Sequence, residues 1–373
     1  MQILRAKVLI SFILFALLAG AALVGAKAAA PQYKVGVTTR SFIPLGPYDW
    51  RGAQTQALLT TIWYPTESSV VEEPQWIGPP DSPLLSAGRA AVDAKLLPSL
   101  KKFPLIVLSH GTGGSALTLA WLGTTLASHG YVVAAVNHPG NNALETYTVR
   151  GFSLWWLRAK DLSVVIDEML VDAKFGSRID ASRIAAAGFS LGGYTMIEIA
   201  GGITDRSAYS DFCKSSEADN ICKVPPEFSA DLFEKVNDLA KSDPQFQTAL
   251  GHASDSYRDP RVRAVFAIAP ALGPAFRPYG LNKISIPVEI VAGESDENVP
   301  ILSSAKFIAS QIPHAKLVIL PGGVAHYTFL TTCTDRGHQL RPLLCNDAPG
   351  IDRDAIHAKT AAMAVNFFAA NLK

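Results

Sequence analysis

The stretch Arg183-Ile184-Ala185-Ala186-Ala187-Gly188-Phe189-Ser190-Leu191-Gly192-Gly193 decides the fold. A short apolar run with no polar alternation suits a strand buried on both faces. The G-x-S-x-G pattern at its end fits a strand-to-helix turn. There the serine sits on strained backbone, and the flanking glycines let neighbouring chain approach without a clashing Cβ. The helix expected over Gly192 to Ala200 would aim its positive end at charge developing near Ser190. Ser190 is therefore the candidate nucleophile.

Working outward, the same punctuation repeats. From Pro104 onward, apolar runs bounded by Gly, Pro or Asn lie at Leu105 to Ser109, Tyr131 to Asn137, Arg183 to Phe189, Val262 to Ala269, Val288 to Ala292 and Lys316 to Leu320. Helix-like segments lie between most of them, at Leu117 to Ser128, Leu154 to Phe175, Gly192 to Ala200 and Ser303 to Gln311, with a last one at Asp354 to Leu372. Strand and helix in alternation predict an α/β fold: a mostly parallel central sheet, right-handed crossovers and flanking helices. Upstream, Tyr33 to Phe42 and Gln56 to Tyr64 read as an antiparallel pair. Pro65 to Pro104 reads as a connecting loop with one short helix near Leu84 to Leu97. Gly201 to Pro260 interrupts the alternation and is expected to form a cap-like insertion over a pocket. Residues 29–373 then make one domain.

A serine nucleophile needs a base, and an imidazole base needs an orienting carboxylate. The strand Val288 to Ala292 runs into Gly293-Glu294-Ser295-Asp296-Glu297, and Lys316 to Leu320 runs into Pro321-Gly322-Gly323-Val324-Ala325-His326. Asp296 and His326 each follow a strand at its C-terminal end, where open α/β sheets carry their sites. Asp296 is preferred over Glu294 and Glu297 because it sits at the loop turn. Donors for an oxyanion are expected from the backbone N–H of Leu191 and from the turn His110-Gly111-Thr112-Gly113-Gly114, with Thr112 first and Gly113 next. His110 is read as a brace of this turn. Trp155 and Trp156, beside the site, either line an apolar acyl pocket or pack their helix. The remaining histidines fit caps, turns or exposed positions.

Lys plus Arg number 33 and Asp plus Glu 32, a net charge of +1, so the basic face needed for nucleic-acid binding is missing. Apolar residues make up 49% and charged residues 17%, a composition for a large buried core and not for a disordered chain. Residues 1–28 read as a signal peptide: Arg5 and Lys7, an apolar run from Val8, then Ala26-Lys27-Ala28 as an A-x-A site. An uncleaved anchor is the alternative reading. The expected location is periplasmic or secreted, with no stable membrane insertion after cleavage. Four cysteines in an exported chain favour disulfides over thiols. Of the three possible pairings, the sequence-local Cys213 with Cys222 and Cys333 with Cys345 are favoured. No C-x-x-C or H-E-x-x-H supports a metal site.

From about residue 103 to 330 the chain resembles the α/β-hydrolases, and within them the platelet-activating-factor-acetylhydrolase-like, or dienelactone-hydrolase-like, bacterial branch. The resemblance lies in Ser109-His110-Gly111-Thr112-Gly113-Gly114, in Leu126-Ala127-Ser128-His129-Gly130-Tyr131-Val132-Val133-Ala134-Ala135-Val136, in Gly188-Phe189-Ser190-Leu191-Gly192-Gly193 and in Ile62-Trp63-Tyr64-Pro65. It implies a Ser-Asp-His esterase or lipase that needs no cofactor and acts on a small-molecule or lipid-like ester. Two departures stand out. The acetylhydrolase takes its acid after the strand equivalent to Val262 to Ala269, which here ends Ala269-Pro270-Ala271 without a carboxylate. Dienelactone hydrolases proper carry cysteine where this chain has Ser190. The competing expectations are a lipase, phospholipase or polyester hydrolase of the same fold, or a non-catalytic binding protein on a hydrolase scaffold.

Overall fold

The computed structural model describes residues 33–226 and 228–373. The signal expected at 1–28 lies outside the described residues.

Among the described residues, ten strands form one sheet: β1 Lys34–Phe42, β2 Leu58–Thr66, β3 Glu73–Ile77, β4 Leu85–Val92, β5 Phe103–Ser109, β6 Val132–Val136, β7 Ile179–Phe189, β8 Val262–Ile268, β9 Val288–Gly293 and β10 Lys316–Leu320. Their order is β10-β9-β8-β7-β5-β6-β2-β1-β4-β3. From β6 to β10 every neighbouring pair is parallel. β2 joins β6 antiparallel, and β1 joins β2 antiparallel, with Lys34 opposite Thr66 and Phe42 opposite Leu58. The apolar runs of the sequence are these central strands. β6 is buried along its whole length, because helices cover both faces of the parallel part.

One expectation is corrected. Leu84 to Leu97 is not helical: Leu85–Val92 is β4, paired antiparallel with β3 and parallel with β1. Gly88 takes φ of +75°, which a helix cannot contain. Ala87 and Ala90 are fully buried in the core cluster that includes Trp63 and Leu119. Tertiary pairing has overridden a weak local preference. The helix expected from Leu154 starts at Leu157 and runs to Val171, which leaves Trp155 and Trp156 in the turn before it.

The segment 201–260 runs between the helix Leu191–Ala200 and β8, tied down by a bridge between Thr204 and Phe276. It contributes the helices Arg206–Lys214, Leu232–Ser242 and Pro244–Gly251. Asp205 caps the first through the Ala208 N–H, and Asp243 caps the third through the Gln245 and Phe246 N–H groups. Among the described residues, no helix is long and apolar enough to cross a membrane.

Candidate active site

Ser190 lies between β7 and the helix Leu191–Ala200 with φ of 57° and ψ of −117°. For a residue with a Cβ this backbone costs about 1–3 kcal/mol, so the surroundings must hold it. They do: Ser190 N donates to the Ile268 carbonyl at 2.9 Å, and Ala271 N donates to the Ser190 carbonyl at 3.1 Å. A Cβ on Gly192 would come within 1.9 Å of the Ser109 carbonyl oxygen. Only glycine lets β5 and the elbow pack this closely.

The ends of β9 and β10 bring in the other two groups. His326 Nε2 lies 2.9 Å from Ser190 Oγ, and His326 Nδ1 lies 2.6 Å from Asp296 Oδ2. The second Asp296 oxygen accepts the Val299 N–H at 2.7 Å, which fixes the carboxylate plane. With a carboxylate accepting from Nδ1–H, Nε2 is the basic nitrogen facing the hydroxyl. Phe189 packs against the imidazole with ring centroids 4.7 Å apart. The competing acids are elsewhere: Glu294 is exposed and accepts from Gly322 N, and Glu297 stands at the cavity wall.

The turn after β5 faces the same point. Gly113 N is committed to Asn141 Oδ1 at 2.7 Å, whereas the N–H groups of Thr112 and Leu191 have no acceptor among the described residues. Thr112, Leu191, Ser190 and His326 all border one cavity of about 1080 Å³. Trp155 lines it, together with Phe152, Tyr209, Phe233 and Val236. Trp156 does not: it is fully buried in a separate cluster with Leu154, Phe246 and Ala253. Trp155 packs edge-on against Trp156, with ring centroids 5.5 Å apart, and so stands between that cluster and the cavity. The insertion closes one side of the cavity through its Cys213–Cys222 disulfide, and a second disulfide joins Cys333 to Cys345. Among the described residues, no group of three or more His, Cys, Asp or Glu could hold a metal ion.

A layer beneath the turn escaped the sequence reading. His138 Nε2 lies 2.9 Å from Ser109 Oγ and its Nδ1 lies 2.7 Å from Asp161 Oδ2. Arg51 reaches both Asp161 oxygens at 2.8 Å. The available signal was Arg158 and Asp161, three residues apart on the helix Leu157–Val171 among buried Ala159, Leu162 and Val165. Charges on a core-facing stripe need partners. His110 braces its turn as expected, with Nδ1 2.6 Å from the Gly111 carbonyl and Nε2 accepting from His138 N at 3.2 Å.

Comparison with solved structures settles the fold. The structure of a ferulic acid esterase from Streptomyces cinnamoneus aligns with a TM-score of 0.60 over 94% of this chain and 92% of that one, at 20% identity. The chain has the α/β-hydrolase fold. Over residues 86–153 the chain also matches the family described as platelet-activating factor acetylhydrolase, isoform II. It is 38% identical to cutinase est1 of Thermobifida alba over 97 residues, which is 26% of this chain and 29% of that protein. It is 30% identical to the platelet-activating factor acetylhydrolase of Bos taurus over 141 residues, covering 26% of this chain and 32% of that protein. The chain thus spans less than a third of the length of either relative.

Proposed function

We propose that this α/β-hydrolase is an exported serine carboxylester hydrolase, periplasmic or secreted, that works through an acyl-enzyme on Ser190. The observation that carries the reading is the unbroken line Ser190–His326–Asp296, at 2.9 and 2.6 Å, in the wall of a large cavity. His326 Nε2 takes the Ser190 proton as Oγ attacks the ester carbonyl carbon. The oxyanion forms between the Leu191 and Thr112 N–H groups, at the N-terminus of the helix Leu191–Ala200. His326 then returns the proton to the leaving alkoxide, which departs as alcohol. Water, activated by the same nitrogen, attacks the acyl-enzyme and releases the acid. Asp296 orients and stabilises the imidazolium in both halves.

The activities for which the relatives are named (cutinase, platelet-activating factor acetylhydrolase and ferulic acid esterase) are all consistent with ester hydrolysis. The size of the cavity and its aromatic wall favour a bulky or lipid-like acyl group, the lipase or polyester-hydrolase version of the same chemistry. The test is fluorophosphonate labelling and hydrolysis of p-nitrophenyl esters of increasing chain length, by the wild type and by Ser190→Ala. The reading requires both signals to disappear in Ser190→Ala, with turnover down by about 10⁵-fold or more. A folded wild type that neither labels nor hydrolyses any ester would leave a binding protein on a hydrolase scaffold.

A further inference from the structure

Arg158 has no obvious place in a stable core. Its side chain is buried, one Nη donates to the His110 carbonyl, and its Nε and other Nη have no hydrogen-bond partner among the described residues. Asp161, three residues on, is the acid beside it, but Asp161 is already engaged by Arg51, His138 and the Tyr48 hydroxyl. Burial, reinforced by the Arg158 guanidinium, holds both His110 and His138 well below the ordinary imidazole range, so neither adds charge at neutral pH. Burial also pulls Arg158 down, to about 9, which leaves it protonated at pH 7. Two guanidinium groups and one carboxylate leave this closed layer with one positive charge in excess.

An unpaired buried charge is a cost to folding, and apolar side chains commonly replace such groups without loss of stability. Its position suggests what it does. The carbonyl that Arg158 holds belongs to His110, two residues before Thr112. A Cβ on Gly192 would lie 2.9 Å from that same oxygen, and one on Gly111 would lie 3.2 Å from Ser190 Cβ. The guanidinium is therefore tied to the layer where the oxyanion turn and the nucleophile elbow touch. Arg158 is buried, where a low effective dielectric screens its field less than water would.

We propose that Arg158 is a positioning residue of the Ser190 site: it locks the His110–Thr112 turn and places an uncompensated positive charge behind the oxyanion donors. The inference rests on the esterase reading of Ser190. The Ser109–His138–Asp161–Arg51 chain is its frame. It ties the end of β5 and the turn after β6 to the helix that carries Arg158, so the guanidinium cannot drift toward solvent.

The experiment compares wild type, Arg158→Met and Arg158→Lys on a p-nitrophenyl ester, with rates normalised to the active sites titrated by fluorophosphonate. Melting temperature and affinity for an aryl trifluoromethyl ketone, which forms a tetrahedral adduct, are measured alongside. Arg158→Met should lower kcat by about 10- to 100-fold with KM within about twofold, somewhat less than removal of a direct oxyanion donor. Ketone affinity should fall in parallel while the melting temperature holds or rises. Arg158→Lys, which keeps the charge, should recover at least about tenfold of that loss. A kcat within twofold of wild type in Arg158→Met overturns the proposal. So does failure of Arg158→Met to fold, or a loss of kcat that Arg158→Lys does not restore, since each assigns the residue to packing. A wild type that neither labels nor turns over overturns the Ser190 reading itself, which separates the two failures.

Discussion

Ser109 Oγ lies 2.9 Å from His138 Nε2, the separation that Ser190 Oγ keeps from His326 Nε2. Each histidine is backed by a carboxylate, so the molecule holds two Ser–His–Asp chains that differ in surroundings and not in local geometry. Ser190 borders the cavity and lies beside two uncommitted N–H groups, whereas Ser109 is closed off at the end of β5. Accordingly, fluorophosphonate should modify Ser190 alone. Peptide mapping of the labelled protein checks this, and Ser109→Ala should still label stoichiometrically. Adduct on Ser109 would contradict the assignment.

The adjacent tryptophans should separate binding from stability. Trp155→Ala removes part of the cavity wall and should raise KM or shift chain-length preference, with a smaller loss of stability than Trp156→Ala because Trp155 is only partly buried. Trp156 is fully buried, and Trp156→Ala should cost about 3–5 kcal/mol of stability. Its KM per folded site should match that of the wild type. Chemical denaturation and a chain-length series on both variants decide the point.

The Cys213–Cys222 bridge closes a short loop, nine residues apart in sequence, on the cavity wall. Constraining such a loop in the unfolded chain is worth about 2–3 kcal/mol. Replacing both cysteines by serine should lower the melting temperature modestly. It should also raise KM for bulky esters more than for p-nitrophenyl acetate, because the insertion forms that wall. Equal KM changes for small and large esters would argue against a pocket-shaping role.

Stability should depend on pH from both sides. His357 is buried on Trp121 with ring centroids 4.4 Å apart, and burial lowers its pKa from 6.5 to about 4. Its neutral form is the one the fold accepts. As pH falls from about 6.5 to 4 the unfolded chain binds a proton that the folded one does not, and up to about 3 kcal/mol is lost. Buried His110 and His138 act in the same direction. Glu198 behaves oppositely: burial raises its pKa from 4.5 to about 8, despite hydrogen bonds from Thr204 and Tyr194. Its contribution is complete below pH 4.5 and is lost as pH rises through 8, by about 3–5 kcal/mol. Melting curves against pH should therefore show Glu198→Gln more stable than wild type at pH 8–9 and similar to it at pH 4.5. His357→Gln should flatten the acid limb.

The alternation of apolar strands with helices is written in one dimension, since each strand is a contiguous run bounded by glycine, proline or asparagine. So are the places where Ser190, Asp296 and His326 leave β7, β9 and β10, because a site at the C-terminal edge of a parallel sheet is a statement about chain order. The helix expected near Leu84 was misread for the converse reason. Its alanines favour a helix locally, but the segment pairs with β1 some fifty residues earlier, and that pairing wins.

What the sequence by itself determined about this protein is the parallel α/β core, with its strands in the right places, and the three strand ends that carry Ser190, Asp296 and His326. What only the tertiary structure decided is the fate of side chains whose partners lie far along the chain. Asp161 meets Arg51 across 110 residues and His138 across 23, Gly113 meets Asn141 across 28, and Trp155 and Trp156 part into cavity and core. Periodicity reports which face of an element is buried; it carries no information on which distant polar group a buried charge will meet, because that is set by how closed layers stack.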